Sequence, residues 1–138
     1  MAKITAYQIA TVGATYVDVN SNFTQNNYPD LLPDILAIHN SLYNLFNCGV
    51  GNRGRIFEPT YGANWLSYLQ EPFGTVTANN MWIDMVAAIA KWEPRIQLIN
   101  SECAVVPDAS IPGYKIYISA VTPLASQKLS INFTASNT

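Results

Sequence analysis

The hydrophobic pattern of this chain changes at one point, the segment Trp92-Glu93-Pro94-Arg95. Before this segment, apolar residues recur at the three- and four-residue spacing of a helix, and after it they alternate as they do in a strand. Proline fixes φ, lacks an N–H and disfavours helical geometry at the residue before it. A helix therefore has to end at Glu93, and strands are expected beyond it.

Glu93 and Arg95 flank the stiff Pro94 ring, although charged residues make up only 12% of the chain. A typical domain has about twice that share. Two opposite charges at a rigid corner indicate either a contact with a partner or a buried ion pair. We favour the first and predict that Glu93, Pro94 and Arg95 bind a partner, with both charges projecting from the junction. The alternative is an internal brace in which Arg95 is tied to Glu58.

The composition of the 138 residues indicates one domain with a sizeable core. Hydrophobic residues reach 49%, which predicts that part of the surface lies against other protein. The net charge of −2 and the scattered basic residues argue against a nucleic-acid partner. No apolar stretch is long enough to span a membrane or follows a basic start, as a secretory signal does. We therefore expect no membrane partner and a chain made in a reducing cytoplasm.

Residues 1–30 show no sustained hydrophobic period, and their centre is rich in Asn. We predict an extended N-terminal arm there, with at most one short strand, that becomes ordered only against other protein. Residues 31–138 are the predicted folded domain. Its first helix is expected to have Asp30 as N-cap and Pro33 in the first turn, and to end at Asn47-Cys48-Gly49.

A second helix is predicted up to Trp92, with Thr75 or Thr77 as its N-cap. Alternating apolar residues then predict an antiparallel meander with a bulge or a twist at 100–102. Its strands are expected over 96–99, 103–106, 114–121 and 128–134. Shorter elements are expected between the helices: a strand over 55–57 and a helical turn over 64–69. This order predicts an α+β fold, in which two main helices pack on one face of a small, mainly antiparallel sheet.

The stretch Gly49-Val50-Gly51-Asn52-Arg53-Gly54 matches the GxGxxG fingerprint of dinucleotide-binding proteins. That fingerprint requires a strand before it and a helix after it, because the pyrophosphate sits on the helix N-terminus. Here a helix precedes and a strand follows, so we interpret the glycines as a tight turn and expect no cofactor. Arg53 and Arg55 are predicted either to bind an acidic group of a partner or to tie the loop to Glu58 or Glu93.

The Glu-Pro dipeptide occurs three times in the chain, at Glu58, Glu71 and Glu93. Paired carboxylates are the machinery of glycoside hydrolysis, but each of these dipeptides stands at a predicted element boundary, where it acts as a stop signal. His39 is the only histidine, and two cysteines are too few for a disulfide scaffold or a zinc site. We therefore predict neither a metal site nor a catalytic dyad.

Several motifs occur together in this chain: Gly51-Asn52-Arg53-Gly54-Arg55, then Pro59-Thr60-Tyr61-Gly62, then Leu69-Gln70-Glu71-Pro72, and finally Glu93-Pro94-Arg95 between helix and strand. In combination, over about residues 31–134, they resemble the baseplate wedge proteins of contractile tails. These proteins are also called sheath initiators, and the family includes baseplate components of type VI secretion systems. Residues 1–30 have no clear match in it.

The resemblance implies a structural component of a viral tail rather than an enzyme. Glu93, Pro94 and Arg95 would dock on the helical core bundle of the larger baseplate wedge proteins. The C-terminal sheet would accept strands from the first ring of the tail sheath by strand exchange. The tail tube or hub is a further expected partner. The expected location is the baseplate of the virion, after assembly in the bacterial cytoplasm.

One member of this family has been called a tail lysozyme. The alternative function is therefore a small, tail-associated peptidoglycan hydrolase that uses Glu58 or Glu71 as its general acid.

Overall fold

A computed structural model of the protein describes residues 16–19, 31–51, 57–122 and 128–136. The strands and helices along these ranges are β1 (Val17–Val19), β2 (Leu31–Pro33), α1 (Asp34–Asn47), α2 (Thr75–Trp92), β3 (Gln97–Leu98), β4 (Ala104–Asp108), β5 (Gly113–Val121) and β6 (Lys128–Ser136). Short 3-10 helices span Trp65–Gln70 and Asn100–Glu102. The predicted α+β fold is confirmed, with α1 and α2 beside a four-stranded antiparallel sheet.

The sheet is built around β5. β6 pairs with β5 over its whole length, from Gly113 opposite Ser136 to Val121 opposite Lys128. β4 and β3 both lie along the other edge of β5, and the 3-10 helix Asn100–Glu102 separates them. The polar residues at 100–102 therefore interrupt the sheet as a 3-10 helix and not as a bulge.

The core lies between the two helices and one face of β5 and β6. Alternate side chains of β5 point towards the helices and are at most 2% exposed: Tyr114, Ile116, Ile118 and Ala120. Their neighbours across the ladder in β6 are Ala135, Phe133, Ile131 and Leu129. The helices add apolar stripes, Ile38, Leu42, Leu45 and Phe46 from α1 and Met81, Met85 and Ile89 from α2. Burial of each large aliphatic side chain contributes about 1.5–3 kcal/mol.

The predicted start of the first helix is wrong. Leu31–Pro33 is a strand that pairs antiparallel with Val17–Val19, and α1 begins only at Asp34, which has a φ of +45°. The N–H of Asp34 donates to the carbonyl of Tyr16 at 2.7 Å, so this non-local contact holds the chain extended up to the helix. Asp30, the predicted cap, lies outside the described residues. β1 is the short strand that the arm was expected to contain.

The predicted N-cap of the second helix is also wrong. Gly74 is the N-cap, without a side-chain hydrogen bond, and the Thr77 hydroxyl donates instead to the carbonyl of Pro72 at 2.7 Å. Of the strand predicted over 55–57, only Phe57 is described, and it lies in a turn with 92% of its side chain exposed. Within the described ranges, neither α1 nor α2 has both the length and the hydropathy needed to cross a bilayer.

Candidate partner-binding site

The corner after α2 follows from the way this helix ends. The N–H of Glu93 donates a helical hydrogen bond to the carbonyl of Ile89 at 2.8 Å. Pro94 cannot continue the pattern, and Glu93 leaves the helix with a φ of −129°. Its carboxylate turns inward and is only 2% exposed. A carboxylate so buried is stable only with a close partner.

Arg95 supplies that partner from across the proline ring. Its Nε lies 2.5 Å from Oε1 of Glu93, and its Nη2 lies 2.6 Å from Oε2, which is a bidentate ion pair. Hydrogen bonding to the Glu93 carboxylate raises the pKa of Arg95 above its ordinary value. The expectation that both charges project is therefore wrong for Glu93. Arg95 is tied to this residue and not to Glu58.

The guanidinium of Arg95 still reaches the surface, because its side chain is 29% exposed. Among the described residues, the ion pair uses two of the five N–H donors that an arginine carries, and the others can serve a carboxylate or carbonyl of another protein. Pro94, between the two charged residues, is exposed. The corner thus presents the Arg95 cation, oriented by a buried carboxylate.

Tyr16 covers part of this cation. The Cζ atom of Arg95 lies 5.0 Å from the centre of the Tyr16 ring, which is cation–π geometry. Tyr16 is held in turn by Asp34, whose Oδ1 accepts a hydrogen bond from the Tyr16 N–H at 3.1 Å. The Asn40 amide donates to Asp18 at 3.0 Å and fixes the same strand on α1. Part of the predicted arm therefore belongs to the corner, which its sequence did not indicate.

The loop before the first 3-10 helix packs beside the same corner. The Tyr61 and Trp92 rings meet edge to face at 5.3 Å, and Lys91 donates to the Thr60 hydroxyl at 3.1 Å. Gly62 closes this loop with a φ of +129°, and a Cβ on it would lie 2.3 Å from the carbonyl oxygen of Cys48. Only glycine fits such a position. These contacts hold Trp92 in place at the C-terminal end of α2, directly before Glu93.

The structure describes only some of the other predicted residues. Arg53 and Arg55 fall outside the described residues. Glu58 and Glu71 are both exposed. Gly51, in the false nucleotide fingerprint, has the positive φ expected of a tight turn, +87°.

The sequence predicts that His39 and the two cysteines form no metal site. His39 is exposed on α1, and Cys48 and Cys103 are free thiols of intermediate burial. Within the part of the chain that is described, three or more His, Cys, Asp or Glu side chains do not gather as a metal site would require.

A second candidate surface is the outer edge of β6. No strand among the described residues pairs with this edge. Proteins usually protect such edges with charge, proline or a bulge. Here only Lys128 at the start of β6 is charged, and it forms an ion pair with Glu102. The remainder, Leu129 to Ser136, contains neither charge nor proline.

A groove of 590 Å³ lies beside β6 and is lined by residues 130–134 of this strand and by His39, Tyr43, Phe46 and Asn47 of α1. Its floor is an aromatic cluster in which the rings of Phe46 and Phe133 lie 5.4 Å apart, and those of Trp65 and Phe133 lie 6.2 Å apart. The Trp65 indole N–H donates to the Phe46 carbonyl at 2.6 Å, which anchors the 3-10 helix to α1. His39 and Tyr43, both exposed, also line the groove. The sequence does not indicate this groove.

No protein-family model matches this sequence, and no curated protein matches it. Among solved structures, the chain is similar to a protein called "putative tail lysozyme" from Geobacter sulfurreducens, with a TM-score of 0.61 and 18% sequence identity. The similarity covers 72% of this chain and 86% of that protein. At this identity the similarity establishes a shared fold.

Proposed function

We propose that this chain is a structural component of the baseplate in a contractile tail, located in the virion or in a related injection machine. The observation that carries the proposal is the outer edge of β6, a nine-residue strand in which residues 129–136 contain neither charge nor proline and with which no described strand pairs on that side. An edge of this kind accepts an extended segment of another protein by main-chain hydrogen bonding. The shared fold with a protein named for a tail gives independent support.

The two surfaces of the domain have different partners in this proposal. The Arg95 corner docks on the helical core bundle of larger wedge proteins, and an acidic or carbonyl group there meets the free donors of the guanidinium. The edge of β6 receives a strand from the first ring of the tail sheath and so templates sheath growth. The tail tube or hub lies nearby as a further partner. We also propose that Arg53 and Arg55 bind acidic groups of a partner protein.

A structural role rather than an enzymatic one is also part of the proposal. The general acid of a glycoside hydrolase usually has its pKa raised by burial in an apolar site. Glu58 and Glu71 are exposed, which supports the structural role. A zymogram of the purified chain on peptidoglycan should show no clearing. A cleared band that disappears in Glu58→Gln or Glu71→Gln would favour the hydrolase instead.

The proposal is tested by deleting the gene in a cell that makes the tails and supplying variants on a plasmid. Mass spectrometry of purified tails should find the wild-type chain, and the deletion should abolish assembled sheath. The double variant Glu93→Leu/Arg95→Met removes the cation without leaving a buried charge, so it should fold yet stay out of the tails. Normal tails from the deletion strain would refute the function. Normal incorporation of the double variant would refute docking through Arg95.

A further inference from the structure

The groove beside β6 limits the chemistry of the strand that can occupy the edge. Five consecutive residues of β6, numbers 130–134, line the groove together with His39, Tyr43, Phe46, Asn47 and Trp65. Consecutive strand residues point to opposite faces, and β5 contributes no residue to this lining, so the cleft lies beside β6 on the side away from β5. The groove is therefore placed to hold the side chains of a segment that pairs with β6.

The groove lining contains no Lys, Arg, Asp or Glu, and its volume of 590 Å³ is that of a ligand-sized cleft. A charged side chain placed there would lose hydration without gaining an ionic partner. Phe133 and Trp65 offer aromatic faces, which favour apolar and aromatic side chains. Five residues of strand span roughly 17 Å, enough for side chains at two or three alternate positions of an incoming segment.

We propose that the edge of β6 binds an extended, uncharged segment that places apolar or aromatic side chains at alternate positions into this groove. The inference rests on the proposed function, in which the segment belongs to a sheath subunit. It goes further by naming the side chains that the subunit must supply. His39 and Tyr43, which line the groove from α1, contact the inserted side chains, and the polar residues of the segment face solvent.

The test uses the purified chain and a panel of fluorescent nine-residue peptides in which Thr alternates with Phe, Ile or Val, each with the same two-lysine tail for solubility. We expect at least one of these peptides to bind in fluorescence anisotropy. A peptide with Glu at the apolar positions should bind at least about tenfold more weakly. Methylating the backbone nitrogens at one set of alternate residues should abolish binding, while methylating the other set should leave it nearly unchanged, because only alternate N–H groups face the receiving strand.

A matched pair of variants on α1 locates the bound peptide. Tyr43 is 58% exposed and lines the groove, whereas Leu36 is 51% exposed and does not. Tyr43→Glu should weaken peptide binding at least about tenfold, and Leu36→Glu should leave it within about twofold. An equal effect of both variants, or no binding by any peptide of the panel, would overturn the inference. So would a chain that dimerises through β6 and resists every peptide.

The outcomes separate this inference from the proposed function. Peptide binding needs no tail, so a chain that binds the peptides but is absent from purified tails keeps the groove specificity and loses the baseplate role. A chain that is present in tails and binds none of the peptides keeps the baseplate role and loses the groove specificity.

Discussion

Glu93 and Arg95 close a bidentate ion pair across Pro94, with the carboxylate 2% exposed and the guanidinium side chain 29% exposed. The asymmetry assigns the two residues different tasks. Glu93 is buried and orients the guanidinium, and Arg95 is the residue that we propose for contact with a partner. Pro94 lies between them and has no N–H with which the helix could continue.

The first prediction is a strong coupling between these two residues. Arg95→Met leaves the Glu93 carboxylate buried without a partner, which should lower the free energy of unfolding by about 3–5 kcal/mol. The double variant Glu93→Leu/Arg95→Met removes the charge as well and should recover much of that loss. Urea denaturation of both single variants and the double variant measures the coupling. Additive losses would show that the ion pair is not formed.

The second prediction concerns the ring that covers Arg95. Tyr16→Leu removes the cation–π contact and should cost about 1 kcal/mol of stability. Tyr16→Phe keeps the ring and is the matched control, which should melt close to the wild type. If Tyr16→Leu and Tyr16→Phe are equally stable, the ring does not contribute through its π face.

The third prediction concerns the loop beside Trp92. Gly62→Ala would bring a Cβ to 2.3 Å from the Cys48 carbonyl oxygen at a φ of +129°. It should cost at least about 2 kcal/mol. Gly74→Ala is the control, since a Cβ there meets nothing within 4 Å, and the weaker N-cap should cost under about 1 kcal/mol. Thermal melts compare the two, and a Gly62→Ala protein as stable as the control would contradict the described loop.

The fourth prediction is a pH dependence at the β4–β5 turn. The Lys115 ammonium, 2.7 Å from Asp108, together with hydrogen bonds from Ser110, lowers the pKa of Asp108 from 3.8 to about 2. A carboxylate whose pKa is lower in the folded state stabilises the fold above its unfolded pKa and loses that effect as the pH falls through the folded pKa. Asp108→Asn should therefore reduce the melting temperature at pH 6, and the difference from the wild type should shrink towards pH 2. A difference that is constant with pH would show that the charge of Asp108 is not responsible.

The parts of the fold that the sequence predicts are those set by local periodicity. The alternation of Leu129, Ile131 and Phe133 predicts β6, and the apolar spacing of Met81, Met85 and Ile89 predicts α2. The helix also ends where Pro94 requires it to end. In each case the residues that predict the element belong to it or lie next to it in the sequence.

The parts that the sequence does not predict depend on distant contacts. Leu31–Pro33 is a strand only because it pairs with β1, and the local cap signal at Asp30 gives no hint of that pairing. The groove exists because Trp65 meets Phe133, two residues in separate parts of the chain. Burial of Glu93 also depends on distant contacts, because the Glu-Pro-Arg sequence does not reveal which side of the corner faces the core.

The central claim is that β6 is continued by a strand of another protein in an assembled tail. The most direct test is electron cryomicroscopy of tails purified from cells that carry the gene, at a resolution that separates the strands. The account predicts density for this chain in the baseplate, with an added strand about 4.8 Å from β6 and its side chains in the groove beside Phe133. A tail that lacks the chain, or a baseplate in which the outer edge of β6 faces solvent, would contradict it.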